Sequence, residues 1–168
     1  MGNDVSMERV RPDQLGLCAQ LIRESFRTVA DEFGFTPENA PRFTAFAVTQ
    51  ERLQHQLSEK RPMFVCREGG ALVGYYSLLP QGERCGLNNL CVAPSCRHRG
   101  IGAILLKSAF EQAALLGCSV LEIGIVEENR RLREWYERFG FVHTGTRKFD
   151  FFPFTCGTMR AEIKENVK

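Results

Sequence analysis

The sequence lacks an excess of charge, and it lacks any long apolar run. Its 22 basic and 20 acidic residues leave a net charge of only +2, so the total charge does not call for nucleic acid as a partner. No apolar stretch approaches the length that crosses a membrane, and the amino terminus lacks the basic-then-apolar pattern of a secretory signal. We therefore expect a cytoplasmic protein that binds neither nucleic acid nor a membrane.

The sequence also lacks paired cysteines. Its seven cysteines include no C-x-x-C pair of the kind that zinc sites use. Most of them lie within apolar runs, where a free thiol packs as a small apolar side chain. We expect reduced, buried thiols and no metal site.

What the sequence does contain is an ordinary balance of 43% hydrophobic and 25% charged residues over 168 positions, which predicts one globular domain spanning 1–168. Strand-like and helix-like apolar patterns alternate along it. Strands are predicted at 5–10, 62–67, 71–79, 85–92, 120–126, 141–147 and 157–163. Helices are predicted after a capping Asp13, over 49–59, over 100–116, and from Asn129 to Gly140. This order predicts a single mixed α/β sheet with helices on its faces.

A basic loop with two glycines joins the strand at 85–92 to the next helix. A helix start offers unpaired N–H groups and the positive end of the helix dipole, and glycine lets a ligand approach the backbone. The loop therefore predicts a phosphate site. A dinucleotide fingerprint would need glycine where Leu105 stands, and the Gly-Lys-Ser/Thr of a P-loop is absent.

Two stretches resemble the signatures of the GNAT superfamily, the GCN5-related N-acetyltransferases. Residues 90–94 followed by 97–102 are similar to the family's acyl-coenzyme A signature, and Asn129 with residues 135–141 is similar to its second signature. The close match covers about 85–142. It implies a mostly antiparallel sheet of about seven strands flanked by helices. It further implies acetyl-CoA as acyl donor and a primary amine, of a small molecule or a peptide, as acceptor. Relatives commonly dimerise, so the resemblance admits a homodimer.

The resemblance also implies a set of cofactor-binding residues. Backbone groups of the preceding strand would pair with the pantetheine arm at Leu90, Cys91 and Val92. Loop residues would hold the pyrophosphate, with amides from His98 onward: Arg97, His98, Arg99, Gly100, Ile101, Gly102 and Ala103. By the same resemblance, Asn129 contacts the cofactor arm and Tyr136 lies near the cofactor sulfur.

Direct acyl transfer needs a neutral amine, a polarised thioester carbonyl and a proton for the departing thiolate. A backbone N–H near Val92 is a candidate to polarise the carbonyl. Tyr136 is the candidate acid. It also falls on the apolar stripe that runs from Leu132 to Phe139, so it either donates the proton or merely completes that stripe. The resemblance favours the role of Tyr136 as the proton donor.

The base is less clearly marked. Relatives often carry a carboxylate five residues before the asparagine, where this chain has Gly124. Glu122 lies two residues earlier on the same face of the strand, so it acts through a water or is a structural carboxylate. Asn88 and Asn89 are candidates to hold such a water but are not strong bases.

Two aromatic segments, 33–46 and 149–154, either shape the acceptor pocket or pack in the core. The arginines at 130, 131 and 133 either contact an anion or are solvated. The alternative function is a non-catalytic sensor that binds coenzyme A or acyl-CoA. A nucleic-acid module is disfavoured because the basic residues cluster at one loop without interleaved aromatics.

Overall fold

A computed structural model describes residues 4–164 of the chain. Seven strands form one sheet: β1 Val5–Arg9, β2 Met63–Glu68, β3 Ala71–Gln81, β4 Arg84–Val92, β5 Val120–Val126, β6 Val142–Lys148 and β7 Thr155–Glu162. Five helices accompany them: α1 Leu15–Phe33, α2 Thr44–Ala47, α3 Gln50–Ser58, α4 Ile101–Leu115 and α5 Arg130–Glu137.

The strand order is β1-β2-β3-β4-β5-β7-β6. Neighbouring strands are antiparallel except for the central pair β4 and β5, which α4 connects in parallel. A parallel pair needs a long crossover, and the fifteen residues of α4 supply it. The fold class expected from the sequence, a mixed and mostly antiparallel sheet flanked by helices, is confirmed.

Helices cover the two faces of the sheet with separate apolar clusters. On one face α4 buries Leu105, Leu106 and Ala109 against the central strands. On the other face α1 and α3 bury side chains such as Ile22 and Leu53. Gly74 lets α4 lie close to β3, because a Cβ there would stand 2.8 Å from Cδ1 of Leu105. The leucine that rules out a dinucleotide fingerprint is thus a core contact.

One local prediction is wrong, and one short helix was not predicted. Asp13 does not cap α1, because it lies in a 3-10 turn at Pro12–Gln14 and its carboxylate accepts from Arg11 Nε at 3.2 Å. Helix α2 was not predicted, because four residues are too few to show a helical period. Among the helices of residues 4–164, none is long and apolar enough to cross a membrane.

Candidate active site

The two central strands separate from each other along their length. They pair only at Arg84–Val120, Cys85–Leu121 and Gly86–Glu122, and within residues 4–164 the ladder stops there. The cause lies on the other edge of β4, where Asn89 and Leu90 stand opposite the single Tyr76 and Asn89 has a φ of +55°. Such a bulge bends the strand. It leaves a wedge between β4 and β5 whose edges carry free N–H and C=O groups.

The basic loop lies at the mouth of this wedge. His98 and Gly100 have φ values of +62° and +83°, and Gly100 is the N-cap of α4 without a side-chain cap. The first backbone bond into the helix runs from Ile104 N–H to Gly100 C=O at 3.2 Å, so the amides of 97–103 have no backbone acceptor among the described residues. Adjacent residues of alternating φ sign aim successive N–H groups at one point, which is a common anion cradle.

The two arginines of this loop have partners of their own. The Arg97 guanidinium donates to Thr28 Oγ1 at 2.9 Å and to the Ser25 carbonyl at 3.0 Å, so its side chain is directed at α1. The Arg99 guanidinium binds the Glu68 carboxylate. What the loop offers a ligand is therefore its row of main-chain amides, with the arginine side chains holding the loop in place.

Helix α5 packs against the start of α4. The Asn129 side chain caps it by accepting from Leu132 N–H at 3.3 Å, which leaves the side-chain amide group free to donate elsewhere. The Trp135 indole lies over Gly102, where a Cβ would stand 3.2 Å from the ring. The helix that carries Asn129 is thus packed directly on the start of α4.

Tyr136 projects from α5 into the core beside the wedge, with only 5% of its surface exposed. The rings of Trp135 and Phe141 stand edge-on to it at 5.0 and 5.2 Å. Burial, and to a smaller extent the Cys91 thiol of β4, raises the pKa of the Tyr136 phenol well above its ordinary value. Within residues 4–164, the Tyr136 hydroxyl is not one of the side-chain groups that are fully buried without a hydrogen-bond partner. The phenol is therefore held protonated near β4.

Glu122 and Gly124 lie on the opposite face of β5 from that core. Both line a concavity of about 300 Å³, together with Thr144 of β6 and Thr158 of β7. The Glu122 carboxylate has Arg84 at 3.8 Å and is about one-third exposed, so it is accessible to water. The structure gives Glu122 one loose ion pair and an open groove, which is compatible with either of its expected roles.

The two aromatic segments meet in a third apolar cluster. The Phe154 ring lies 4.7 Å from the Phe35 ring and stands edge-on to the Phe43 ring at 5.8 Å, and the cluster includes Val126 at the end of β5. Pocket wall and core were the two alternatives; the structure shows core packing for the buried rings, and a role in the acceptor pocket stays a prediction. Phe35, Phe43 and Phe154 are buried, whereas other rings of the cluster are only partly covered.

Sequence reasoning missed two polar contacts around the wedge. The Ser25 hydroxyl of α1 donates to the Val92 carbonyl at 3.2 Å and fixes the end of β4. The Glu127 carboxylate binds Arg133 of α5 at 3.0 Å and His143 of β6 at 2.8 Å. Ser25 and Val92 are 67 positions apart, whereas Glu127 lies six residues before Arg133 and sixteen before His143. Neither contact leaves a periodic signal in the sequence. Of the three arginines at 130–133, Arg133 thus has a structural partner.

No group of three or more His, Cys, Asp or Glu side chains placed to hold a metal occurs within residues 4–164. The seven cysteines are unpaired thiols, and five of them are buried.

Comparisons with known proteins agree with this geometry. The model of the Acetyltransferase (GNAT) family matches residues 20–141. An uncharacterised N-acetyltransferase of Mycobacterium tuberculosis is 28% identical over 115 residues, which are 67% of this chain and 74% of that protein.

Two solved structures share the fold at low identity. The PaiA N-acetyltransferase of Thermoplasma acidophilum, solved with coenzyme A, has a TM-score of 0.80 at 15% identity over 95% of this chain and 99% of that one. YncA of Salmonella typhimurium, solved with acetyl-CoA, has a TM-score of 0.71 at 17% identity over 99% and 98%.

Proposed function

This chain belongs to the GNAT family of acetyltransferases, and from that membership we propose that it transfers an acetyl group from acetyl-CoA to a primary amine of a small molecule or a peptide by direct attack. One observation carries the proposal. The wedge between β4 and β5 has free backbone edges inside, unpaired amides at its mouth and the Tyr136 phenol beside it.

The residues at the wedge fit the parts of acetyl-CoA. The pyrophosphate suits the amides of 98–103, since these N–H groups have no other acceptor among the described residues. The edge of β4 along Leu90, Cys91 and Val92 that β5 leaves uncovered suits the pantetheine arm, because an extended ligand adds to an open strand edge. The Val92 carbonyl on this stretch also accepts from the Ser25 hydroxyl. The side-chain amide group of Asn129 is available to the same arm. Acetyl-CoA supplies the activated acyl group.

Tyr136 is proposed as the acid. Its raised pKa keeps the proton on the phenol at neutral pH. The phenol is the group that would donate its proton to the departing thiolate as the acyl group is transferred.

Glu122 is proposed as the base, acting through a water in the groove that it shares with Gly124. Gly124 leaves the groove open at the position where relatives often carry a carboxylate. The Glu122 carboxylate is therefore farther from the amine than a carboxylate at position 124 would be, and a bridging water relays the proton between them.

A thiol-release assay with a panel of primary amines tests the function. Release of coenzyme A that depends on an added amine supports transfer. The second candidate is a sensor that binds acyl-CoA without turnover, favoured by the missing carboxylate at Gly124. Tight binding of acetyl-CoA with no thiol released for any amine of the panel would support the sensor instead.

A further inference from the structure

The main-chain groups of Val92 point into the wedge and away from β3. Ala93 N–H donates to the Val73 carbonyl at 2.8 Å, and Val92 stands opposite Gly74. Hydrogen-bonded and non-hydrogen-bonded pairs alternate in an antiparallel ladder, so Val92 and Gly74 form a non-hydrogen-bonded pair. The N–H and C=O of Val92 are therefore directed to the other side of β4, which β5 leaves uncovered at this residue.

A side chain of α1 already occupies one of these two groups. The Ser25 hydroxyl lies 3.2 Å from the Val92 carbonyl oxygen. Ser25 has only 4% of its surface exposed, so bulk water does not compete for this contact. The contact uses the carbonyl alone and leaves the N–H of Val92 directed at the wedge.

Arg97 fixes the direction of the Ser25 hydroxyl proton. The guanidinium Nη2 lies 3.1 Å from Ser25 Oγ, and an arginine side chain carries donors but no acceptor. Ser25 Oγ therefore accepts from Arg97, and its own proton is left for the Val92 carbonyl. The guanidinium is held at two further points, by Thr28 Oγ1 at 2.9 Å and by the Ser25 carbonyl at 3.0 Å. The donors thus run in one direction, from Arg97 through Ser25 to Val92.

We propose that Ser25 is a positioning residue for the pantetheine arm of the acyl donor. Its hydroxyl supplies the Val92 carbonyl with a partner before the arm binds, so the arm pairs with the Val92 N–H through one of its own carbonyl oxygens. This inference rests on the proposed binding of acetyl-CoA and names a residue that sets how the arm lies along β4.

The cost of burying the Val92 carbonyl gives Ser25 its effect. An arm that lies along β4 displaces water from this edge, and a carbonyl buried without any partner is unfavourable. A carbonyl has two lone pairs, but a single hydrogen bond removes most of that cost. With Ser25 in place, the arm gains the contact with the Val92 N–H and leaves the carbonyl paired.

The test compares two ligands that differ only in the arm, coenzyme A and 3′-phosphoadenosine 5′-diphosphate, by calorimetry on the full-length protein. In Ser25→Ala we expect coenzyme A to bind about tenfold more weakly, since the arm then buries the Val92 carbonyl without a partner. The nucleotide should bind as before. Arg97 keeps its bonds to Thr28 and to the Ser25 carbonyl in this variant, so the phosphate loop is still held.

Thr28→Val is the matched control on the same helix. It removes another hydroxyl that Arg97 bonds, but it leaves the contact between Ser25 and Val92 in place. We expect the ratio of the two dissociation constants to equal that of the wild type. A merely structural role of the cluster predicts the same loss in both variants.

Three outcomes would overturn the inference even if the wild type acetylates amines. They are unchanged coenzyme A binding in Ser25→Ala, a loss that the nucleotide shares, and an equal change of the ratio in Thr28→Val. The proposed transfer is decided separately. A selective loss of coenzyme A binding in Ser25→Ala, with no thiol released by the wild type for any amine, would keep the role of Ser25 and overturn the transfer.

Discussion

The Trp135 indole packs directly on Gly102, so that a Cβ at Gly102 would stand 3.2 Å from Cζ2 of the indole. This contact joins the first turn of α4, which offers its amides to the proposed pyrophosphate site, to α5, which carries Asn129 and Tyr136. The two proposed halves of the cofactor site are therefore coupled by one glycine and one tryptophan.

Replacing Gly102 by alanine should lower the free energy of unfolding by about 1 kcal/mol and raise KM for acetyl-CoA. Alanine normally stabilises a helix relative to glycine, but here the rigid indole must move to make room. Gly16→Ala in α1 is the matched control: its Cβ would meet the flexible end of Gln50 at 3.3 Å, which can move away, so this variant should be stabilised. Chemical denaturation measures both. Equal effects of the two changes would contradict the coupling.

Tyr136→Phe should reduce amine-dependent thiol release by about a hundredfold while acetyl-CoA binds as before. The phenyl ring keeps the contacts with Trp135 and Phe141, and only the proton donor is lost. Tyr76→Phe serves as the control. It removes a hydroxyl that bonds Ser108 at 2.7 Å, so we expect a loss of about 1 kcal/mol in stability with turnover unchanged. Full turnover in Tyr136→Phe would remove the acid assignment.

The pKa of Tyr136 also predicts the alkaline side of the pH–rate profile. Because burial raises the phenol pKa, the acid stays protonated as the pH passes the ordinary tyrosine value of about 10. We expect kcat with a saturating amine to show no decline near pH 10. A decline centred there, absent in Tyr136→Phe, would mean that the phenol titrates normally and is not buried during the reaction.

Glu122→Gln should lower kcat/KM and shift the acidic limb of the profile, because the proposed base is removed. A carboxylate at position 124 should restore part of the loss. A Cβ there would meet only the Gly157 carbonyl at 4.0 Å, so a longer side chain fits the groove. The test is Gly124→Glu in the Glu122→Gln background, with Gly124→Gln as the control of equal size. Equal rescue by both residues would place the base in the solvent or the substrate.

The buried thiols predict a loss of stability in alkali. Burial raises the pKa of Cys18 and of Cys91 to about 12, whereas a thiol in the unfolded chain titrates near 9. The stabilising effect is therefore complete below pH 9 and decreases as the pH rises from 9 toward 12. We expect the free energy of unfolding to fall by about 1.4 kcal/mol per pH unit for each buried thiol. Cys18→Ala should show a smaller slope between pH 9 and 10, and an unchanged slope would refute the assignment.

The sequence predicted most elements because their patterns are local. The apolar run at 120–126 matches β5 at both ends, and Thr49, which caps α3 by accepting from Arg52 N–H at 3.1 Å, is the first residue of the helix predicted over 49–59. The wedge was not predicted from pattern, since it depends on the left-handed conformation of Asn89 and on where the ladder stops.

The directions of the side chains could also not be predicted from the sequence. The charge of Arg97 beside two glycines indicated a phosphate contact, but its guanidinium binds Ser25 and Thr28, about seventy positions earlier. Only the packing of α1 against the loop decides that partner. The role of the Arg97 main chain, like those of the other predicted site residues, stays a prediction.

The short ladder between β4 and β5 leaves unpaired backbone groups inside the sheet. Within residues 4–164, three residue pairs form the ladder between a four-stranded and a three-stranded half of the sheet, and the Glu83 carbonyl adds backbone bonds from Ser119 and Val120 at its start. Beyond these pairs, β4 and β5 each have an unpaired edge in the middle of the sheet, where neighbouring strands are normally hydrogen-bonded. A ligand whose amides paired with both edges would complete the backbone hydrogen bonding across the sheet between its two halves.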